Sequence, residues 1–118
     1  MARTQQVIVN TTNGTRLAEP AEDAVGLWGS FKGLMLKPEI PDRYGLVFRP
    51  AMGIHTCFMR FPIDLIYFDK ENRVTKIKAA VKPWRVDLTS AAGVIEMNPG
   101  SAEAAGLRPG DVLDFQSA

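Results

Sequence analysis

The chain has 118 residues, 46% of them hydrophobic and 23% charged, a balance that supports one packed core and excludes the low-hydrophobicity, high-charge signature of disorder. Fourteen basic against thirteen acidic residues leave a net charge of +1, too weak a field to draw in nucleic acid or an acidic membrane surface. A single cysteine, Cys57, rules out an internal disulfide and every multi-cysteine metal framework. No stretch nears the roughly 20 apolar residues of a membrane-spanning helix, and the first ten residues hold no signal-peptide core. The expectation is one cytoplasmic domain over residues 1–118, monomeric or a small oligomer, without metal or cofactor.

Val7-Ile8-Val9 is a short β-branched run ending at the turn signal Thr11-Thr12-Asn13-Gly14, from which Thr15-Arg16-Leu17-Ala18 returns antiparallel. Pro20, Glu22 and Asp23 suit a helix first turn. Ala24, Leu27, Trp28, Phe31, Leu34 and Met35 follow at helical spacing, which predicts a helix over residues 21–32 with Trp28 and Phe31 in the core. Pro38 and Pro41 demand a loop. Gly45-Leu46-Val47-Phe48 reads as a strand closed by Pro50. Within the dense segment from Ile54 to Asp69, residues 55–61 and 63–68 read as two strand-like runs broken at Pro62 and buried on both faces. A hairpin loop over 69–73, with Asn72 left-handed, leads into a strand over 74–81 that Pro83-Trp84 stops. On that strand Lys76 and Lys78 share one face, read as solvated rather than phosphate-binding. Val94-Ile95-Glu96-Met97 is a further strand. Ser101 caps a helical turn that Gly106 ends, and Pro109-Gly110-Asp111 turns into a last strand over 112–115. About seven strands and one main helix predict an α+β, β-dominated fold: a small, partly closed barrel or two-layer sandwich, the helix covering one opening.

His55 and Cys57 are the sole imidazole and the sole thiol, and a strand would point both to one face. They form the elements of a thiol-dependent hydrolase or transferase, against the plainer reading of a buried structural cysteine. Arg60 and Asp64 are charges set into the most apolar stretch, where each needs an ion pair, a backbone group or a ligand. Arg60 has the planar donor fork that suits a carboxylate or phosphate. Trp84 is either an aromatic platform over a groove or a buried lid on the barrel end. Met35, Met52 and Met59 fill core gaps or line an apolar pocket.

Gly33-Leu34-Met35, Gly45-Leu46-Val47-Phe48, the block Ile54-His55-Thr56-Cys57-Phe58-Met59-Arg60-Phe61-Pro62-Ile63-Asp64, Asp69 with Val74, Pro83-Trp84, Val94-Ile95-Glu96 and Gly100 through Gly110-Asp111 occur in that order. The set resembles the family named domain of unknown function 192 over nearly the whole chain. The resemblance implies a compact β-rich fold found in bacteria and archaea, without an established activity, and with many relatives that look exported. By position it points to His55, Thr56, Met59, Arg60, Pro62 and Asp64. Residues 93–113 also resemble the strand-helix-turn-strand portion of a PDZ domain, over about a fifth of the chain.

These readings favour a binding module for a small anionic molecule or a peptide, at a site where segment 55–64 meets the loop 33–45. Its candidate contacts are His55, Thr56, Phe58, Met59, Arg60, Asp64 and Trp84. The Cys57–His55 enzyme and a PDZ-like or strand-adding interaction module stand as alternatives.

Overall fold

The computed structural model describes residues 5–24, 40–57 and 59–117. The β-branched Val7-Ile8-Val9 run forms β1 (Gln5–Asn10), and Gly14, at φ 74°, turns the chain into the antiparallel β2 (Thr15–Asp23). There follow β3 (Gly45–Phe48), β4 (Ala51–His55), β5 (Ile63–Phe68), β6 (Val74–Val81), β7 (Val86–Ala91), β8 (Gly93–Met97), the one-turn helix α1 (Ser101–Ala104) and β9 (Leu113–Ser117). Asn72 takes the left-handed conformation between β5 and β6, at φ 61°.

Seven strands form one sheet in the order β6-β5-β8-β3-β2-β1-β9, antiparallel except for β2 with β3. The sheet curls until its two edges meet at one end. Arg73 bridges Val112, Val74 N donates to the Asp111 carbonyl at 2.7 Å, and Leu113 N donates to the Asn72 carbonyl at 2.8 Å. The result is a half-barrel. Its interior is filled from all seven strands, by Ile8, Leu17, Val47, Ile66, Phe68, Val74, Ile95, Met97 and Leu113 among others, with Ala102, Ala105 and Leu107 from α1 and the residues after it.

The remaining strands, β4 and β7, pair with each other as a second, smaller sheet. A second cluster, including Leu46, Phe48, Ala51, Met59, Ile63, Leu65, Tyr67 and Val94, fills the space between this sheet and the outer face of the barrel. The two layers explain why every residue of β3, β5 and β8 is buried: one side chain in two faces the barrel interior and the next faces the second layer. Both a partly closed barrel and a second layer are therefore present, in a β-dominated α+β fold.

Four expectations are corrected. Ala21, Glu22 and Asp23 do not open a helix: they continue β2, pairing with Gly45, Leu46 and Val47, because ladder bonds to β3 outweigh a local preference for a helix start. The rest of the expected helix, with Trp28, Phe31, Leu34 and Met35, lies outside the described residues. Residues 56, 57 and 59–61 are not strand: β4 ends at His55 and the chain turns at Cys57. β7 was not expected at all. Ser101 makes no side-chain cap; the cap position is Gly100, at φ 89°. The PDZ-like stretch is the β8–α1–β9 passage of the half-barrel, whose strands pair with β3 and β5 on one side and β1 on the other.

Candidate functional site

Thr56 holds the turn after β4 against the turn before β7. Buried, it donates its hydroxyl to the Lys82 carbonyl at 2.7 Å and accepts from Arg85 N at 2.8 Å. Its own N–H donates to the Arg85 carbonyl, and its carbonyl accepts from Met59 N and Trp84 N. The expected contact residue is thus a staple between two loops. Met59 beside it is buried in the second core cluster, and Phe58 lies outside the described residues.

What the staple presents is Trp84. It sits at φ 65°, a conformation that bulky side chains rarely adopt, and is 59% exposed. The buried-lid reading is overturned. From Trp84 the strand β7 continues with Val86 and Leu88 facing outward at 65% and 83% exposure. On the neighbouring strand Gly53, at φ 99°, marks a bulge that shifts the β4–β7 register by one residue between Met52 and Ile54. The shift lets Met52 and His55 both face outward while Ala51 and Ile54 pack inward. The outer face of the small sheet therefore presents an apolar strip of Met52, Leu88 and Val86, with the exposed Trp84 in the turn two residues before β7. Arg60, Lys82 and Arg85 are all exposed in its two loops, and the one carboxylate of β7, Asp87, points inward.

The other candidates are not brought to this strip as a group. Cys57 lies past the end of β4, and its backbone N–H donates to His55 Nδ1 at 3.2 Å. Arg60 and Asp64 form no ion pair, which corrects that expectation. Asp64 is fully buried, and its two oxygens accept from Ala80 N at 2.9 Å and Ala102 N at 3.1 Å. Ala80, at φ 49°, is in the bulge where the β5–β6 register shifts, so this carboxylate pins β6 and α1 together. The loop 33–39, half of the expected meeting point, lies outside the described residues.

A second polar group was missed from sequence. On the outer barrel face Glu96 stands between Leu46 and Leu65, its cross-strand neighbours on β3 and β5. It is 5% exposed and has no hydrogen-bond or ion-pair partner among the described residues. Burial pushes its carboxyl up to about 8. Diagonal to it, the buried Tyr67 hydroxyl lies near Asp87 and Thr89 but in hydrogen-bond geometry with neither. Desolvation, with the nearby Asp87 carboxylate adding to it, raises the phenol well above its ordinary value. Asp87, by contrast, has a charged partner: burial alone would raise it, but the Lys78 ammonium, at 2.6 Å in an ion pair, and Thr89 N at 2.9 Å hold it well below the usual carboxylate range. Lys76 likewise reaches Thr89, at 2.9 Å, so the lysine face of β6, exposed as expected, also ties β6 to the second layer. The sequence signal was a carboxylate in the run Val94-Ile95-Glu96-Met97, where the alternation of a strand buried on both faces conceals it.

A cleft of about 470 Å³ lies elsewhere, lined by Arg16, Leu17, Arg43, Asn98 and Ser101 among others. Its guanidiniums are engaged: Arg16 pairs with Glu19 at 2.8 Å, and Arg43 donates to the Arg16 carbonyl at 2.8 Å. Among the described residues no group of three or more His, Cys, Asp or Glu side chains is placed to hold a metal ion, and no helix is long and apolar enough to cross a membrane.

Comparison with known proteins agrees with this architecture. A Sinorhizobium meliloti protein described as a candidate transcription regulator superposes with a TM-score of 0.81 at 20% identity, covering 97% of this chain and 94% of that one. A protein of unknown function from Novosphingobium aromaticivorans gives 0.78 at 27% identity, covering 95% and 84%. A UPF0127 protein of Thermococcus sibiricus is 31% identical over 93% of this chain and 75% of its own length. The model of domain of unknown function 192, described as an uncharacterized ACR, matches residues 8–115. Half-barrel, sequence block and relatives agree, and the chain belongs to the domain of unknown function 192 family.

Proposed function

We propose that this domain is a binding module for an extended, acidic polypeptide segment that carries apolar side chains. The observation behind this reading is the outward apolar strip of Trp84, Val86, Leu88 and Met52 with three exposed basic side chains beside it. Exposed apolar side chains that adjoin on one face mark interaction sites, and an aromatic held out by its backbone serves as an anchor of low entropic cost. Charge selects the partner. Arg60, Lys82 and Arg85 favour carboxylates, whereas a second copy docked through the same face would oppose basic residues to basic residues. Among the described residues β4 pairs only with β7, so an extended segment has a strand edge to add to.

The test is an NMR titration of the full chain with a synthetic peptide alternating Glu with Leu and Phe, and with the same peptide carrying Lys for Glu. The acidic peptide is expected to shift the amides of residues 52–55 and 82–88, to weaken with added salt, and to lose about tenfold or more in affinity in Trp84→Ala. Equal binding of the basic peptide, no binding of either, or shifts confined to the Arg16–Arg43 cleft would each reject the reading.

A further inference from the structure

The cleft beside Arg16 and Arg43 is built without being filled. Its walls are the start of β2, the loop before β3, and the passage from the end of β8 into α1. Hydrogen bonds tie these walls to one another and to the neighbouring turn. Arg43 Nη2 donates to the Arg16 carbonyl at 2.8 Å, and the Arg43 carbonyl accepts from Glu19 N at 2.8 Å. Asn98 Nδ2 donates to the Ile40 and Pro41 carbonyls, at 3.1 and 3.2 Å. Asn13 Nδ2 donates to the Ala105 carbonyl at 3.0 Å. Between the walls about 470 Å³ stays open, a volume in the range of small-molecule sites. Walls fixed before binding spare a ligand the cost of ordering them. Arg43 itself is held at φ 64°, a conformation that costs a non-glycine residue energy and clusters at ligand sites.

The lining decides the chemistry. Leu17 and Ala105, which belong to the barrel interior, form an apolar floor, and the exposed Pro99 and Ala104 extend it up the side. The charged side chains of the lining are two guanidiniums and one carboxylate, Asp42. That balance favours a single negative charge and disfavours a cation or a dianion. A guanidinium offers several N–H donors, whereas among the described residues Arg43 uses one nitrogen, on the Arg16 carbonyl, and Arg16 uses one, on Glu19. The Arg16–Glu19 pair has its side chains 58% and 41% exposed, so a competing anion exchanges with Glu19 at little cost.

We propose that this cleft binds a small monocarboxylate with a compact apolar body. The carboxylate lies on Arg16 and Arg43, and the body on Leu17, Pro99 and Ala104. The site lies apart from the outer strip and does not rest on the reading given to that strip.

The probe is cyclohexanecarboxylate, with cyclohexylammonium and inorganic phosphate as controls, titrated into the full chain at neutral pH and followed by amide shifts. Cyclohexanecarboxylate is expected to shift residues 15–17, 42–43 and 98–105 and to leave 82–88 in place. Three substitutions, all at exposed positions, sharpen the test. Arg16→Ala is expected to weaken binding at least about fivefold. Glu19→Gln, which removes the competing carboxylate, is expected to strengthen it about twofold. Ala104→Leu fills the cleft and is expected to abolish binding. No saturable binding at millimolar concentrations, equal binding of cyclohexylammonium or phosphate, or shifts confined to the outer strip would overturn the proposal. So would an affinity indifferent to Arg16→Ala or to Ala104→Leu, or weaker binding in Glu19→Gln.

Discussion

A carboxyl group whose proton is held by burial makes stability depend on pH in an unusual direction, and Glu96 is such a group here. Its proton is held up to about pH 8 in the folded chain against an ordinary value of 4.5. Between those values the unfolded chain has released the proton and the folded chain has kept it, so the folded state binds more protons. The unfolding free energy therefore falls as pH rises through this window, by about 1.4 kcal/mol for each pH unit fully inside it. Glu96→Gln is expected to match the wild type near pH 4, to exceed it in stability near pH 8, and to flatten the profile between; urea denaturation across this range measures it. A slope that persists in the variant would assign the effect to another group. Asp64, another buried carboxylate, was visible in the sequence as a charge in an oily run. Its need for a partner was legible, but its partners were not: both are backbone N–H groups, supplied by a bulge at Ala80 and by the start of α1, and neither has a residue-type signature. Arg60 could not be judged from the same run, since whether that run is strand or turn decides if it is buried.

The elements were legible where one periodicity ruled them. β3 and β6 match their expected ends, and β5 its expected buried run, because apolar content, turn residues and strand period coincide there. β7 was missed because it is apolar on its outer face, with Val86 and Leu88 out and Asp87 in, the reverse of the pattern that marks a half-buried strand. The same inversion is what makes the strip a candidate site, so the feature hardest to read as structure is the one that bears on function. Its presentation depends on Thr56. Thr56→Val keeps the shape but deprives the Lys82 carbonyl and Arg85 N–H of a buried partner, which predicts a loss of about 1–3 kcal/mol. The loss should come with faster amide exchange at Trp84 and Arg85. Thr56→Ser, which retains the hydroxyl, should lose less. Equal stability in both variants would mean that the backbone bonds of residue 56 suffice to hold the two loops.

At the scale of the whole molecule, the half-barrel is held closed by one seam rather than by a ladder. β6 and β9 lie at opposite edges of the seven-stranded sheet, and the backbone hydrogen bonds that join the two edges lie around residues 72–74 and 110–113. Asp111 is the centre of that contact. One of its side-chain oxygens accepts from the buried Asn10 amide at 2.8 Å and from Arg108 N at 2.9 Å, while its carbonyl accepts from Val74 N at 2.7 Å. Asn10 in turn accepts from Thr12 N at 3.0 Å, so the end of β1 and the approach to β9 meet on the Asp111 carboxylate, and the start of β6 on the backbone carbonyl of the same residue. From the sequence, Asp111 was only the last residue of a turn, since closure joins residues more than 30 positions apart that no local pattern links. Asp111→Ala removes the acceptor and leaves the Asn10 amide buried without a partner. The expected cost is about 2–4 kcal/mol, given that the lost bonds are charge-assisted. The distribution of that cost is the sharper test. If the seam closes the barrel, the amides of Thr11, Val74 and Leu113 should lose exchange protection together, by similar factors, because one opening exposes all three. If only residues 108–111 lose protection, Asp111 is no more than a turn residue, and the curl of the sheet is held by the packing of its interior.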